Sequence, residues 1–337
     1  MSNYQLNKAA PKKKQSLKNF WPLIKDELRF LLMVLAIILV NSAINIAMPY
    51  LIGMTVDQAI NQKNPDLLIR MVILLAGLFL FGLLFTYLQI SLMGRLSQRI
   101  LFTLRTKLFD KIQELPLSFF NVNKIGDLIS RINNDTDKLN QFFSEALVRF
   151  AGSIFILLGI GVFIFFLNFK MAVVALSVAV FLFIFTQFIG PWLRSKNEIS
   201  LKSLGQFSGE IQEDLNNFKA IVAFNQGGYF YNKFESFNKN YFRDARRAAF
   251  ANGFLTPIYD LANNAAATLV LLVGIVVAAN GQITIGLLIS FIAYSDKFYQ
   301  PLRILASIWA TIQTSLAAWT RVDQILNLKS DLLVEEN

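Results

Sequence analysis

The sequence predicts an all-α membrane protein whose six transmembrane helices continue into the cytoplasm as long helical hairpins. Three observations support this prediction. Hydrophobic residues make up 55% of the 337-residue chain and charged residues only 16%, whereas soluble domains carry about 25% charged residues. Six apolar stretches are long enough to cross a bilayer, and the basic residues concentrate on one side of them.

The six apolar stretches match the roughly 20 helical residues needed to cross a hydrocarbon core about 30 Å thick. They lie at about 30–52, 67–93, 147–167, 169–193, 258–279 and 283–305. A soluble protein with six such helices would have too little polar surface left to face water, so we exclude that alternative.

The distribution of basic residues predicts the orientation of the chain. One side of the spans holds only Lys63, Arg70 and Lys170, so the other side carries 29 of the 32 Lys and Arg residues. The positive-inside rule places that richer side, with both termini, in the cytoplasm. The net charge of +10 is therefore an orientation signal that requires no nucleic acid partner, and the basic tail 1–19 can contact anionic membrane lipid.

The residues between the basic tail and the first span predict an interfacial helix. Residues 16–30 mix apolar and basic side chains in the pattern of helices that lie in the membrane surface. A cleavable signal peptide fits poorly, because the apolar run begins only near Phe30 and is followed by no small-residue cleavage site.

The composition also excludes several kinds of chemistry. The chain contains no Cys and no His, which removes disulfides, cysteine nucleophiles, histidine acid–base catalysis and nearly all zinc or haem ligation. We therefore expect no catalytic, cofactor-binding or metal-binding residue in this chain.

The two cytoplasmic connections, 95–149 and 194–247, carry apolar residues at helical spacing and no signature of a separate domain. The simplest interpretation is that the transmembrane helices extend beyond the membrane by about 25 residues, or roughly 40 Å. Pro and Gly residues place the hairpin tips around 116–126 and 223–229. The tips either dock a cytoplasmic partner or merely end two hairpins that pack on each other.

A series of motifs runs along most of the chain. They are MPYLIGMTVDQAI at 48–60, LFDKIQELPLSFFNVNKIGDLISRINNDTDKL at 108–139, GEIQEDLNNFKAIVAFNQ at 209–226, Pro257, GQITIGLLISF at 281–291, Gln300-Pro301-Leu302 and Arg321-Val322. In this order they resemble the membrane domain of six-helix ABC exporters, the class that includes bacterial lipid flippases and multidrug exporters. The resemblance covers about residues 20–328.

The resemblance implies a mechanism and partners. In this family two membrane domains pair, as a homodimer or heterodimer with exchanged segments, around a cavity that opens alternately inward and outward. Two cytoplasmic nucleotide-binding domains bind ATP and Mg and press on coupling helices at the hairpin tips, here about 117–123 and 223–229. The second hairpin reaches the partner's nucleotide-binding domain. The coupling residues that the resemblance implies are Leu117, Ser118, Phe119, Phe120, Asn121, Ala223, Phe224, Asn225, Gln226 and Gly227.

The sequence contains no G-x-x-x-x-G-K-[ST] phosphate-binding loop and therefore no nucleotide-binding domain of this kind. We divide the chain into the basic tail 1–19, a membrane domain 20–320 and the start of a linker, 321–337. We expect it to be the membrane part of a longer half-transporter, without ATPase activity alone; a natural stand-alone subunit is the alternative. The resemblance also implies a multi-pass protein of a bacterial plasma membrane.

Polar side chains within the spans are candidates for the translocation path, because they are costly in lipid. The candidates are Asp296, Gln300 and Arg303 on one face of the last span, Asp260 near the inner end of the fifth, and Asn41 and Asn45 in the first. Each has a structural alternative. Asp296 can pair with Lys297 or Gln300, Asp260 can face water, and the asparagines can join helices by hydrogen bonds.

Three functions are compatible with these features. The first is the membrane-spanning half of an ATP-driven exporter for a lipid, drug or other amphiphile. An ion-gradient-driven secondary transporter would need Asp260 or Asp296 to carry a cycling charge. A non-transporting scaffold would show neither ATP-driven nor ion-driven transport. The long cytoplasmic hairpins and the absence of an inverted repeat in the sequence favour the exporter.

Overall fold

The computed structural model describes residues 25, 27–60 and 64–328, and these residues form helices joined by short turns, with no β-strand among them. The helices are α1 (Leu28–Thr55), α2 (Pro65–Gln113), α3 (Leu117–Val122), α4 (Ile125–Ser130), α5 (Thr136–Gln141), α6 (Leu147–Leu167), α7 (Phe169–Asn216), α8 (Phe218–Ala223), α9 (Gly227–Gly253), α10 (Leu255–Ala279) and α11 (Ile285–Leu326). Three π-helical segments lie among them, at Val56–Ile60, Arg131–Asp135 and Phe142–Ala146. The predicted all-α fold class is confirmed.

Within the described ranges, five helical stretches are long and apolar enough to cross a membrane. They are Leu28–Ala59, Pro65–Gln113, Ile125–Leu167, Phe169–Asn216 and Gly227–Ala279. Each contains one of the first five predicted spans. The sixth predicted span, 283–305, begins two residues before α11 and otherwise lies in it, and there Asp296 and Lys297 interrupt the apolar run. That span stays a prediction.

The helices are longer than a bilayer requires, as the periodic connections predict. α2 has 49 residues, which correspond to about 73 Å, and it continues to Gln113, well beyond the predicted end of its span. The returning limb of this first hairpin differs from the predicted single helix. It consists of α4, α5 and α6 with two π-helical segments between them, and the Thr136 hydroxyl bonds to the Ile132 and Asn133 carbonyls at the first of these. Such bonds to the backbone compete with regular helix geometry.

The predicted tight turns between spans are present. Asn168 alone separates α6 from α7. Between α10 and α11 the chain turns at Gly281, whose φ of 71° is accessible to glycine at little cost.

Several predictions fall outside the described residues. They are the basic tail 1–19, the interfacial helix up to residue 24, the connection at 61–63 and the part of the linker beyond residue 328. The predicted boundary at residue 320 falls inside α11, which continues to Leu326.

The chain forms two compact units. Unit 1 comprises the described residues up to Phe169 and those from Gly274 onward, and unit 2 comprises Lys170–Val273.

Two apolar clusters form the core of unit 1. The base cluster joins α1 and α2 to the residues around the start of α6 and consists of Val34, Ile38, Met93, Leu96, Ile100, Phe143 and Val148. The tip cluster lies at the other end of the first hairpin and consists of Leu104, Leu108, Leu115, Phe119, Leu128, Leu139, Trp319, Val322 and Ile325. The tip cluster therefore joins α11 to the tip of the hairpin.

In unit 2, side chains join α7 to α9 as a second hairpin. The ring of Phe207 lies 5.3 Å from that of Phe234 and stacks on Tyr241 at 5.8 Å. Lys233 forms an ion pair with the buried Glu210. Aromatic packing together with this ion pair holds the two limbs side by side.

Candidate functional site

The tip of the first hairpin is a short helix, α3, that begins directly after Pro116. This is where the resemblance places the first coupling helix. The side chain of Leu117 is 77% exposed, and Ser118 and Asn121 are also exposed. Because these residues project from the end of a long hairpin, α3 presents a small, partly apolar surface away from the spans.

The two phenylalanines of α3 hold this surface in place. Phe119 is fully buried in the tip cluster. Phe120 is half-buried and packs edge-on against Phe119 at 5.4 Å. The predicted residues of the first tip therefore divide into an exposed surface and a buried anchor.

A polar network lies beside the tip cluster. The guanidinium of Arg131 is buried and donates to the Asp127 carboxylate at 3.0 Å, to the Arg321 carbonyl at 2.7 Å and to the Gln324 side chain at 3.0 Å. Arg321 in turn forms an ion pair with the fully buried Asp135. In the sequence, Arg131, Asp135 and Arg321 stand out only as parts of motifs, because helical periodicity contains no signal that would pair them.

The tip of the second hairpin lies in unit 2. The five predicted residues there are all exposed, with Phe224 at 76%. The short helix at this tip, α8, ends at Ala223, the first residue of the predicted stretch, and the chain turns at 224–226, where Asn225 has a φ of 51°. Asn is among the residues that adopt this left-handed conformation most readily. Ile221 is the buried residue of α8, as Phe119 is of α3.

Within the spans of unit 1, a chain of polar side chains joins three helices. Asn41 of α1 donates to Thr86 at 3.1 Å and to Gln89 at 3.4 Å, both in α2. Asn45, one turn further along α1, accepts a bond of 2.9 Å from the ammonium of Lys297 in α11. Both asparagines therefore form the interhelical hydrogen bonds that were the structural alternative for them.

The remaining candidates for the translocation path are exposed on their own units. In α11, Asp296, Gln300 and Arg303 share an exposed face, whereas the neighbouring Lys297 points to α1. Asp260 is exposed on unit 2. The structure therefore separates Lys297 from the predicted polar face, and its partner is Asn45, whereas the sequence suggests Asp296 as its partner.

The end of α1 and the start of α11 approach until their backbones touch. A Cβ atom on Gly53 would overlap the Gly286 carbonyl and the Ser290 hydroxyl. The Ser290 hydroxyl donates to the Pro49 carbonyl at 2.9 Å, and the Gly286 N–H donates to the Asp57 carboxylate at 2.8 Å. These glycines and Asp57 belong to two motifs that are more than 200 residues apart in sequence.

An apolar groove of about 710 Å³ lies between α1 and α6 in unit 1. Its lining is almost entirely aliphatic and aromatic, with a serine hydroxyl and a tyrosine as polar groups. The lining residues include Ser42, Ile46, Tyr50, Phe155, Leu158 and Phe163. A groove of this size and polarity can hold part of an acyl chain or an aromatic ligand.

Comparison with known proteins places these features in one family. The ABC transporter transmembrane region family matches residues 31–302. The chain is similar to the uncharacterized ABC transporter ATP-binding protein YknV of Bacillus subtilis, with 25% identity over 89% of this chain and 50% of the relative.

Two further relatives carry names that state a substrate. The ATP-dependent lipid A-core flippase of Syntrophus aciditrophicus is 25% identical over 88% of this chain and 49% of its own length. The fatty acid ABC transporter ATP-binding/permease protein of Mycobacterium bovis is 26% identical over 77% of this chain and 41% of its own length. The chain thus spans about half the length of these curated relatives. It belongs to the ABC transporter transmembrane region family.

Proposed function

We propose that the chain forms the membrane-spanning half of an ATP-driven exporter that moves an amphiphile by alternating access. Nucleotide-binding domains that bind ATP and Mg would dock on the two hairpin tips and drive the cycle. The observation that carries this proposal is the construction of α3. An exposed Leu117 face projects from a helix whose Phe119 is buried beside Trp319 of α11.

With one exposed face and one buried face, α3 is better suited to transfer force from a partner than to serve only as the end of a hairpin. A partner that presses on the exposed face acts on a helix whose buried face is packed into the core of unit 1. Well-packed interiors have low compressibility and transmit displacement. We assign the same role to the exposed residues of the second tip, Ala223 to Gly227.

The substrate class follows from the groove and from the polar residues of the spans. The groove between α1 and α6 suits an apolar tail, and the exposed face of Asp296, Gln300 and Arg303 suits a polar head group in the path. The names of two relatives, a lipid A-core flippase and a fatty acid transporter, agree with an amphiphile. We assign Asn41 and Asn45 to the hydrogen bonds that join α1 to α2 and α11, and we treat Asp260 as a water-facing group.

The partners follow from the same proposal. A second membrane domain would complete the cavity, with exchange of segments between the two domains, and lipid would surround the dimer. We place the protein in a bacterial plasma membrane with both termini in the cytoplasm.

The test is reconstitution of the chain with its nucleotide-binding domains in liposomes. A fluorescent phospholipid serves as the probe, and its movement and ATP hydrolysis are measured on the same sample. We expect ATP-dependent movement, and we expect Leu117→Asp to abolish most of it by removing the apolar contact.

The matched control is Phe109→Asp, which changes another exposed apolar residue of the same hairpin and should leave transport within twofold of wild type. Transport driven by an ion gradient without ATP would favour a secondary transporter. If neither ATP-driven nor ion-driven transport is seen with this lipid or with an aromatic dye, the result would favour a scaffold.

A further inference from the structure

Arg131 is the largest fully buried side chain in the described part of the protein, with 1% of its surface exposed. A buried cation is costly unless it is paired and hydrogen-bonded. Its three hydrogen bonds go to Asp127, one turn earlier, and to the Arg321 carbonyl and Gln324 in α11. A guanidinium in this setting holds two segments that are 190 residues apart in sequence.

The bonds of Arg131 belong to a set of contacts between the first hairpin and the last part of α11. Asp135 pairs with Arg321. The Ser315 hydroxyl donates to the Lys138 carbonyl at 2.8 Å. We call Arg131, Asp135, Arg321 and Gln324 the clamp. All four residues lie in unit 1.

The clamp and the tip cluster perform different tasks at the same junction. Apolar packing in the tip cluster opposes separation of α11 from the hairpin but has no directional preference. Hydrogen bonds are directional, and the planar fork of Arg131 fixes the position of α11 along the hairpin. Without Arg131, the two elements would remain in contact, and fewer directional bonds would oppose the sliding of one past the other.

We propose that Arg131 is a positioning residue for energy coupling, which delivers motion of α3 to α11 by preventing this sliding. The inference rests on the proposed function, because it requires α3 to receive a push from a nucleotide-binding domain. It predicts that loss of Arg131 separates ATP hydrolysis from transport and leaves hydrolysis itself intact.

The test measures phospholipid transport and ATP hydrolysis by the reconstituted transporter and compares the number of lipids moved per ATP. Arg131→Gln should lower this ratio at least fivefold, with basal ATP hydrolysis within twofold of wild type. Arg131→Lys should give an intermediate ratio, because an ammonium keeps the charge but cannot reproduce the fork. The ratio does not depend on how much protein folds, so a merely structural role would leave it unchanged.

The matched control is Arg105→Gln. Arg105 is an arginine of the same hairpin whose hydrogen bonds go to Thr136 and Asp137 within that hairpin, so the ratio should stay at the wild-type value. If Arg131→Gln yields too little protein, Gln324→Leu removes one acceptor and should lower the ratio about twofold. Wild-type ratios in all Arg131 and Gln324 variants would overturn the proposal, whereas wild-type protein without ATP-dependent transport would overturn the proposed function instead.

Discussion

Replacing Gly53 with alanine should destabilise the contact between the end of α1 and the start of α11. The new Cβ would overlap the backbone carbonyl of Gly286. Because the obstacle is backbone and not the end of a flexible side chain, the two helices must move apart. This separation also stretches the bonds from Ser290 to Pro49 and from Gly286 to Asp57.

The expected magnitude follows from these contacts. Overpacking of a tight site costs about 1–3 kcal/mol, and each of the two hydrogen bonds contributes about 1 kcal/mol. Gly53→Ala should therefore lower the free energy of unfolding by about 3–5 kcal/mol. For a chain of this length, that corresponds to a fall in Tm of about 5 °C.

The assay is thermal unfolding of the purified protein in detergent, followed by tryptophan fluorescence from its four Trp residues. Gly77→Ala is the matched control, since Gly77 lies in α2 with no atom near its would-be Cβ. That variant should be neutral or more stable by up to about 1 kcal/mol. Equal Tm values for Gly53→Ala and Gly77→Ala would refute the close approach of α1 and α11.

Three further predictions concern other contacts. Asn45→Leu removes the acceptor of the half-buried Lys297 and should lower the free energy of unfolding by about 1–2 kcal/mol. Lys297→Met should lower it less, because no buried charge remains. Chemical unfolding of both variants shows which of the two is less stable. Phe119→Ala should lower the free energy of unfolding by about 3–5 kcal/mol in the same assay, as expected for a fully buried aromatic ring. A decrease below about 1 kcal/mol would contradict the burial of Phe119. The Ser203 hydroxyl, which donates to Asp244 at 2.5 Å, holds the pKa of that carboxyl below its usual range. The lowered pKa of Asp244 stabilises the fold at neutral pH, and this contribution disappears as the pH falls through that pKa. The Tm difference between Ser203→Ala and wild type should therefore shrink below about pH 3.9. A Tm difference that stays constant with pH would show that the bond from Ser203 to Asp244 does not cause it.

The fold class and five of the spans were predictable because lipid imposes a simple requirement. A membrane segment must bury its backbone polar groups in a helix and expose apolar side chains, and both demands are visible in the sequence. The extension of α2 was predictable for a related reason. Apolar residues at helical spacing continue past residue 93 and follow the buried face of the observed helix, as Leu96, Ile100, Leu104 and Leu108 show.

Local signals placed the first tip more accurately than the second. Pro116 cannot continue α2, and proline is well tolerated directly before a new helix. The predicted first coupling helix, 117–123, therefore coincides with α3. At the second tip, Gly227 and Gly228 were interpreted as part of the turn. In the structure they are the first residues of α9, and α8 lies before them.

The partners of the polar residues were not predictable. Periodicity shows that Asn45 and Lys297 each lie on a face of a helix, but it cannot show that the two faces meet. The same holds for Arg131 and Gln324, which are separated by almost 200 residues. Such pairs depend on how distant helices pack, and a single sequence contains no record of that packing.

The length of α11 makes it a lever. The helix touches α1 at Gly286 near one end and contributes Gln324 to the clamp near the other, and this separation of 38 residues corresponds to about 57 Å. If the contact at Gly286 serves as a pivot, a tilt of only about 5° moves the Gln324 end by about 5 Å, close to one helical turn. A displacement of about one helical turn at the clamp therefore corresponds to an angular change at Gly286 that is small enough for the packing there to survive.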